Sequence, residues 1–467
     1  MKTCDGADFF QSLKAARDAI EYIRSGKGPA LLHAMVERLL PHSSSDDQRK
    51  YRSEEELALA AKERDCIKKL INYIVFNNIS TVEEIKALQK EVEEEIDDAA
   101  DWAFARPDPT ADDANTNLLA PAESYNLKYS DESIPDKTNK TVLVDAINHA
   151  LFEEMAFNEK MLVFGEDIAD PKGGVFTATR GLSYKFGEKR VFNSPLAEAS
   201  IIGVAIGLAV RGFKPVVEIQ FGDYIWPAFM QIKNELATLR YRSNGGFSCP
   251  VVIRVAVGGY IHGGLCHSQN IEAIFSHIPG LLIAYPSSAA DAKGLLKTAC
   301  RLQDPVIFCE HKGMYRLPFA SSPEPDGDYL IPFGKAKLVK YGDDATIITY
   351  GMGVKDSYNA VKEFEKSSGK SIEIIDLRTI APWDKNMVLD SVKKTGRVLI
   401  VHEDTITSGF GAEISATITQ EAFNYLDAPV MRLAAMDTHI PFSPIYESHV
   451  LPSQDKVTAE LKKLINF

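Results

Sequence analysis

The 467-residue sequence lacks the marks of a secreted, disulfide-bonded or membrane-spanning protein. Its six cysteines are scattered without a C-x-x-C pair, which predicts reduced thiols of a cytoplasmic protein. Residues 1–6 contain no apolar stretch, so no signal peptide is expected. An uncharged and largely apolar run lies between Glu198 and Arg211. It is too short to span a bilayer and predicts a buried helix of a soluble protein.

The sequence also lacks an excess of basic residues. It has 52 lysines and arginines against 65 aspartates and glutamates, a formal charge of −13 at pH 7. This balance argues against nucleic acid or an anionic membrane as the main partner, while a locally basic pocket could still hold a small anionic substrate. No H-E-x-x-H, EF-hand or Walker A pattern occurs, so the metal ligands stay unknown.

The first 105 residues are predicted to form a mostly helical segment. Asp8 is a suitable N-cap for a helix that runs to Arg24, and Gly26 fits the end of that helix. The apolar stretch 29–40 predicts a strand. Two capping-box spacings predict further helix starts, namely Ser53 with Glu56 and Ser80 with Glu83.

Residues 106–139 differ in composition from their surroundings. Four prolines lie there among Asp, Asn, Thr and Ser, without apolar periodicity, at positions 107, 109, 121 and 135. Such a segment has no regularly spaced apolar residues to bury, and it is predicted to be a linker.

From residue 140 onward, apolar runs alternate with helical patterns. The runs are 161–164, 215–221, 250–257, 281–285 and 306–309, followed after a Pro/Asp/Gly turn at 323–328 by 345–350, 372–377 and 397–402. Runs that are apolar along their whole length are typical of parallel strands buried on both faces. The pattern therefore predicts two α/β domains, 140–330 and 331–467, which share no sequence repeat.

One carboxylate stands at the start of an apolar helix. The segment Asn193–Glu198 resembles a helix start with Pro195 in the first turn, and 199–210 is wholly apolar. Glu198 could simply be favoured by the helix dipole. A carboxylate entering an apolar environment needs a partner, however, which favours a functional role. Residue types alone leave these two interpretations evenly balanced.

A glycine-rich segment, residues 258–269, follows a predicted buried strand. Glycines allow a backbone to approach a ligand, and ligands bind at the carboxyl ends of parallel strands. His262 and His267 are candidate acid–base groups there, with a flexible turn as the alternative. A second polar cluster, 42–52, contains His42 and Ser43, and residue types alone favour a solvated loop for it.

Taken together, these segments resemble the decarboxylase component of the branched-chain and pyruvate dehydrogenase complexes. Residues 1–105 resemble the C-terminal part of an alpha subunit, and 140–467 resemble a complete beta subunit. The matching motifs are Cys4–Asp8, Gly28–Leu31, His42–Asp47 and Tyr51-Arg52 on the alpha side, and Gly165–Ile168, Pro195–Glu198, His267–Gln269, Arg378–Trp383 and Gly409–Gly411 on the beta side. The resemblance implies a transketolase-like α/β fold, with a pyrimidine-binding domain and a transketolase C-terminal-type domain.

The resemblance also implies roles for individual residues. Glu198 would hydrogen-bond the aminopyrimidine ring of thiamine diphosphate, a task that suits a desolvated glutamate. Gln220 and Tyr224 would contact the cofactor, with Tyr224 packed on the pyrimidine. His267 would face the reacting carbon and donate a proton. Two further residues lie on the alpha side: His42 would contact the cofactor, and Ser43 is a candidate for phosphorylation.

The implied reaction is decarboxylation of a 2-oxo acid on thiamine diphosphate, with transfer of the acyl group to a lipoyl-bearing acyltransferase component. The resemblance further implies Mg²⁺ and a homodimer. One departure from the family pattern is the absence of its Gly-Asp-Gly…Asn motif for magnesium and diphosphate, since Asp326-Gly327-Asp328 lies in an interdomain turn. The monovalent-cation loop of some beta subunits also differs here, at 300–304.

Three functional hypotheses remain open from the sequence. A branched-chain 2-oxo acid decarboxylase is favoured by the serine loop and by Arg240–Ser243. A pyruvate or acetoin dehydrogenase component with the same cofactor is the second. A non-catalytic module that docks on the acyltransferase without turnover is the third, and magnesium-dependent cofactor binding separates it from the other two.

Overall fold

The structure is a computed structural model that describes residues 1–130 and 139–467. The chain divides into two compact units, Met1–Thr110 and Ala111–Phe467, which are called unit 1 and unit 2 below. Pro135, in the predicted linker, lies outside the described residues. None of the described helices is long and apolar enough to cross a membrane.

Unit 1 is mostly helical, as the sequence predicts. Its elements are β1 (Lys2–Asp5), α1 (Phe9–Arg24), β2 (Leu32–Met35), α2 (Glu54–Glu63), α3 (Cys66–Phe76) and α4 (Val82–Phe104). Strands β1 and β2 pair in parallel. The Asp8 carboxylate accepts the Gln11 N–H at 2.9 Å and so caps α1, while Gly26 past its end has a φ of 75°. The strand expected over 29–40 is present but is limited to the four residues of β2.

Two helix starts in unit 1 differ in detail from the capping boxes expected there. Ser53 caps α2, but the Glu56 side chain accepts from Arg52. The start expected at Ser80 with Glu83 is wrong by one residue, because the cap of α4 is Thr81. The Glu84 carboxylate accepts the Thr81 N–H and the Ser80 hydroxyl, each at 2.8 Å. The capping box of Thr81 and Glu84 therefore makes more hydrogen bonds than one of Ser80 and Glu83 would.

Unit 1 buries few apolar side chains of its own. Cys4, Ala7, Ala15 and Ala60 are the buried ones, and all are small. The apolar stripe of α4 is largely exposed, at Leu88, Val92 and Ile96. A groove of about 680 Å³ runs beside this stripe. The apolar faces of unit 1 are therefore not covered within the unit.

Unit 2 contains two larger sheets with helices between their strands. Its strands are β3 (Lys140–Thr141), β4 (Met161–Gly165), β5 (Val191–Asn193), β6 (Lys214–Ile219), β7 (Val252–Val257), β8 (Leu282–Ala284), β9 (Val306–His311), β10 (Ser322–Pro323), β11 (Lys337–Lys340), β12 (Ala345–Thr349), β13 (Ile372–Asp376), β14 (Thr379–Ala381), β15 (Val398–Thr405) and β16 (Met431–Ala435). Its helices are α5 (Leu143–Phe157), α6 (Leu182–Phe186), α7 (Glu198–Val210), α8 (Leu239–Arg242), α9 (Glu272–Ser276), α10 (Ala289–Arg301), α11 (Met352–Ser368), α12 (Lys385–Thr395), α13 (Phe410–Ala422), α14 (Pro444–Val450) and α15 (Gln454–Ile465).

The predicted parallel sheets are confirmed. The first has the order β14-β8-β9-β7-β6-β4-β5, and the second has the order β11-β13-β12-β15-β16. All pairings in them are parallel except those of the edge strands β14 and β11. Each predicted apolar run contains a strand, and every residue of β4, β6, β7, β8, β9, β12 and β13 is buried. Burial on both faces explains why these runs do not alternate.

Part of the segment expected to be a linker belongs to unit 2 and packs against the rest of it. Ala120 is buried, and its N–H donates to both carboxylate oxygens of Asp304 at 2.9 and 3.0 Å. The Tyr125 hydroxyl also donates to Asp304. Leu119 and Leu127 pack against the core. The expectation that this segment has no apolar residues to bury is therefore wrong after about residue 118.

We accordingly expect limited proteolysis to cut first within residues 106–110, which are exposed and belong to no helix or strand. The apolar contacts that follow should protect 118–127. Mass spectrometry of the first fragments measures this, and an early cut inside 140–320 would contradict the predicted domain boundaries.

A buried lysine in the first sheet makes stability depend on pH. Lys214, the first residue of β6, is buried and donates to the Leu302 carbonyl at 2.9 Å. Burial lowers its pKa to about 8, although nearby Cys300, Asp304 and Glu154 act in the opposite direction. In the unfolded chain the pKa is near 10.5. Between these two pKa values the unfolded chain binds more protons than the folded protein, so the free energy of unfolding rises with pH.

We expect Lys214→Met to lose this dependence. Relative to the variant, the wild-type protein should gain roughly 3 kcal/mol of unfolding free energy between pH 8 and 10.5, since one pKa unit corresponds to 1.36 kcal/mol. Urea unfolding of both proteins at several pH values measures the difference, in which the titration of all other groups cancels. A difference that does not change with pH would contradict the assignment.

Candidate active site

The candidate site residues of unit 2 lie at the carboxyl ends of neighbouring strands. Glu166 follows β4, Gln220 follows β6, and Gly258 follows β7. These three strands are adjacent in the first sheet. Ligands bind at this edge in open α/β sheets because side chains from several loops converge there.

Helix α7 begins at Glu198, with Ala197 as its N-cap and no side-chain cap. The expectation that Pro195 lies in the first turn is wrong, since the preceding residues pair elsewhere: the side-chain Oδ1 of Asn193 accepts the Ala169 N–H at 2.8 Å, and the Ser194 N–H donates to the Gly165 carbonyl at 2.7 Å. These bonds tie residues 193 and 194 to β4 and the loop after it, and α7 begins only at Glu198.

The expectation of a fully buried helix is also wrong for α7. One face is buried, at Ile201, Ile202, Ala205 and Ala209. The opposite face is exposed, including Val204 at 49%. Because the helix is apolar on all sides, its sequence does not show which face is covered, and the pattern alone predicted burial of every face.

Glu198 lies close to a second carboxylate that the sequence analysis did not assign to the site. Glu166 is buried, and its Oε1 has no hydrogen-bond partner among the described residues. Burial raises the pKa of Glu166, and the negative charges of Glu198 and Asp167 raise it further. Glu166, which lies near the half-buried Glu198, is therefore protonated more readily than an ordinary glutamate. The available sequence signal was a carboxylate directly after a buried strand.

Gln220 bridges the loop after β4. Its amide nitrogen donates to the Glu166 carbonyl at 3.3 Å and to Asp167 Oδ2 at 3.4 Å. Asp167 has a φ of 59°, a left-handed conformation that is uncommon for residues with a side chain. Gln220 and Lys172, which pairs with Asp167, help to hold this conformation.

His267 pairs with Tyr224. The Tyr224 oxygen is 2.7 Å from His267 Nε2, and His267 Nδ1 is 3.2 Å from the Gly263 carbonyl. A carbonyl can only accept, so Nδ1 carries a proton, and in the neutral ring Nε2 accepts from the Tyr224 hydroxyl. Phe221 packs edge-on against the imidazole with ring centroids 4.6 Å apart. Burial raises the pKa of the Tyr224 hydroxyl, which keeps it a donor.

His42 and Ser43 lie in unit 1, in an exposed loop. The Asp46 carboxylate organises this loop by accepting from the His42 N–H at 2.8 Å and from the Tyr51 hydroxyl at 2.6 Å. The hydrogen bond from Tyr51 and then the one from His42 hold the pKa of Asp46 below its usual value. The roles expected for His42 and Ser43 stay predictions.

In residues 1–130 and 139–467, no group of three or more His, Cys, Asp or Glu side chains is placed to hold a metal ion. No magnesium ligands are therefore assigned among these residues.

Three family models match successive parts of the chain: Dehydrogenase E1 component over residues 3–112, the Transketolase pyrimidine binding domain over 140–318, and the Transketolase C-terminal domain over 334–457. The 2-oxoisovalerate dehydrogenase subunit beta of Bacillus subtilis is 47% identical over 325 residues, which cover 69% of this chain and 98% of that protein. Its mitochondrial counterpart in Dictyostelium discoideum is 50% identical over 329 residues, 70% of this chain and 87% of that protein.

The chain belongs to the thiamine-diphosphate-dependent 2-oxo acid dehydrogenase components. An alpha-type piece precedes a beta-type part in the same polypeptide. The pyruvate dehydrogenase E1 component subunit beta of Staphylococcus aureus is also similar, at 43% identity over 325 residues, covering 70% of this chain and 98% of that protein. A solved split gene transketolase, an inactive beta4 tetramer, shares the fold with a TM-score of 0.57 at 24% identity, over 70% of this chain and 98% of that one.

The residues of this dehydrogenase component fit the pyrimidine side of the cofactor. The orphaned, buried Glu166 Oε1 lies in the same cluster as Glu198, Gln220, Tyr224 and His267. An unsatisfied buried oxygen in a native protein calls for a partner, and a bound polar ring would provide one.

Proposed function

We propose that this chain is the beta-type half, with an alpha-type segment, of a branched-chain 2-oxo acid decarboxylase that passes its acyl group to a lipoyl-bearing acyltransferase. The observation that carries the proposal is the placement of Glu198 beside Glu166 and of the Tyr224–His267 pair at the same edge of the first sheet. Thiamine diphosphate, when bound, would supply the carbon that takes up the substrate and stabilises negative charge after loss of carbon dioxide.

The residues of the chain would hold and move protons around the cofactor. Glu198 would hydrogen-bond a pyrimidine nitrogen and exchange a proton with it. Tyr224 would pack beside the ring while its hydroxyl orients His267. His267 would then deliver a proton to the lipoyl sulfur, and Gln220 would hold the loop that carries Glu166.

A branched-chain substrate is proposed because relatives named for 2-oxoisovalerate are 42% to 50% identical, against 43% for relatives named for pyruvate. These values are close. A pyruvate or acetoin dehydrogenase component is therefore the alternative, and competition among 2-oxo acids of increasing chain length in one assay distinguishes them.

We also propose that magnesium and the diphosphate are bound by groups outside the described residues of a single chain, and that the chain is a two-fold dimer. The exposed apolar residues of α7 fit this proposal. Analytical ultracentrifugation should give a mass near twice 51.6 kDa at micromolar concentration. A strictly monomeric species would contradict it.

Cofactor titration tests the proposed function. Thiamine diphosphate is added to the protein with and without magnesium, and binding is followed by calorimetry, with thiamine as a control ligand that has no diphosphate. Magnesium-dependent binding followed by release of carbon dioxide from 3-methyl-2-oxobutanoate supports the enzyme. Binding that is absent or independent of magnesium, without turnover, supports the docking-module alternative.

A further inference from the structure

The glycine-rich segment 258–269, called the histidine loop below, is closed at its base. The Gly258 N–H donates to the Gln269 carbonyl at 3.2 Å, so the two ends of the loop lie side by side. His267 lies near one end. Between the ends, the N–H groups of Gly259, Tyr260 and His262 are directed at two carboxylates from the C-terminal domain of unit 2.

Glu447 is the first of these carboxylates. It lies on α14, and only 2% of it is exposed. Its Oε1 accepts the Tyr260 N–H at 3.0 Å and the His262 N–H at 3.3 Å, and its Oε2 is 2.6 Å from His262 Nδ1. One carboxylate thus holds two backbone groups and one side chain of the histidine loop.

Glu403 is the second carboxylate, and it lies on β15. Its Oε1 accepts the Gly259 N–H at 2.5 Å, and its Oε2 is 2.6 Å from His311 Nε2. Lys312 donates to the Gly258 carbonyl. A side chain at position 258 would collide with His311, which explains a glycine at that point.

These contacts hold a backbone that would otherwise relax. Tyr260 and His262 have φ values of 64° and 57°, in the left-handed region that disfavours residues with side chains. Their N–H groups would also lose their acceptors if the carboxylates were removed. The next residue, Gly263, supplies the carbonyl that binds His267 Nδ1, so any movement of the clamped segment reaches His267 directly.

We propose that Glu447 and Glu403 are positioning residues that clamp the histidine loop and thereby set the orientation of His267. Among the described residues, neither carboxylate has a hydrogen bond or ion pair to Glu198, Glu166, Gln220, Tyr224 or His267. The C-terminal domain would then act on the reaction through the loop that it holds. This inference rests on the proposed role of His267 in proton transfer, but the clamp itself can be tested without catalysis.

Amide hydrogen exchange tests the clamp on the full chain. In wild-type protein, the amides of Gly259, Tyr260 and His262 should exchange slowly although they lie in a glycine-rich loop. Loss of hydrogen bonds to a charged acceptor should speed the exchange of Tyr260 and His262 roughly 10- to 100-fold in Glu447→Ala, whereas the Gly259 amide keeps its acceptor, Glu403. Glu447→Gln keeps one acceptor oxygen and should give an intermediate value. Glu421→Gln, which removes an exposed carboxylate paired with Lys385 in the same domain, is the matched control and should change nothing.

Fast exchange of these amides in the wild-type protein would overturn the clamp, and so would unchanged exchange in Glu447→Ala. The wild-type measurement decides the matter even if the alanine variant fails to fold. These outcomes do not depend on the cofactor or on the proposed function.

The effect on His267 is tested in the assembled holoenzyme. Glu447→Gln should lower the kcat for acyl transfer to a lipoyl domain, by up to roughly 100-fold if the imidazole shifts by about 1 Å. The Kd of thiamine diphosphate and the KM of the 2-oxo acid should stay within about twofold, and turnover with an artificial electron acceptor should change less, because it bypasses the lipoyl step. Equal losses in both assays would overturn the positioning role. If His267→Asn transferred acyl groups normally, the proposed function of His267 would fail while the clamp could still stand.

Discussion

Glu198→Gln is expected to leave the fold intact and to lower kcat for decarboxylation by roughly 10²- to 10⁴-fold, the range that a positioned proton-transfer group contributes. Glutamine has nearly the same size and can still accept a hydrogen bond at the start of α7. It cannot exchange a proton with a pyrimidine nitrogen. Steady-state decarboxylation of a 2-oxo acid at saturating cofactor measures the effect.

The control for this variant is again Glu421→Gln, which removes a carboxylate from an exposed ion pair and should keep normal turnover. Thermal unfolding should be similar for both variants and the wild-type protein, because Glu198 is only half-buried. Near-normal decarboxylation by Glu198→Gln with bound cofactor would remove Glu198 from the proposed mechanism.

Ser43→Glu is expected to weaken the use of substrate or lipoyl domain much more than Ser43→Ala, in an enzyme with a complete cofactor site. Ser43 lies in the unit 1 loop with its hydroxyl 3.1 Å from that of Ser45. Phosphorylation there would add roughly −1.5 to −2 charge. The added charge would lie in the same short loop as Asp46 and Asp47 and would repel an anionic 2-oxo acid.

The loop arginines are already engaged, so a new negative charge must compete for them. Arg49 binds Asp47 through two nitrogens, at 2.8 and 3.0 Å, and Arg52 binds Glu37 and Glu56. Breaking these pairs should disorder the loop.

We expect kcat/KM to fall on the order of tenfold in Ser43→Glu, consistent with a like-charge interaction of a few kcal/mol or less near a protein surface. Steady-state kinetics of the two variants at low and high salt measures it, since screening should reduce the effect. Equal and nearly wild-type constants for both variants would show that Ser43 is simply solvated.

Local patterns predicted the elements whose causes are local. The cap of α1 is the side chain of Asp8 on the helix that it begins, and the sequence contains both partners within three residues. The nearly continuous apolar runs predicted β4, β6 and β7 because strands buried on both faces are largely apolar and do not alternate.

The composition of the linker was a weaker guide. Its polar residues and prolines concealed Ala120 and Tyr125, whose partner, Asp304, is more than 170 residues away in the sequence. The predicted start of α7 was wrong for a similar reason. Asn193 and Ser194 form hydrogen bonds to backbone groups that are distant in the sequence, instead of capping the helix.

For the site, the sequence by itself determined the chemical groups available: the carboxylate of Glu198 before an apolar helix, the imidazole of His267 after a buried strand, and the family motifs around them. Only the tertiary structure decided which of these groups meet. It paired Tyr224 with His267, placed Glu166 beside Glu198, and brought Glu447 to the backbone of Tyr260, 187 residues earlier in the chain. A hydrogen bond needs two atoms within about 3 Å, and the spacing of residues along a chain does not specify that distance once the strands and helices between them have packed.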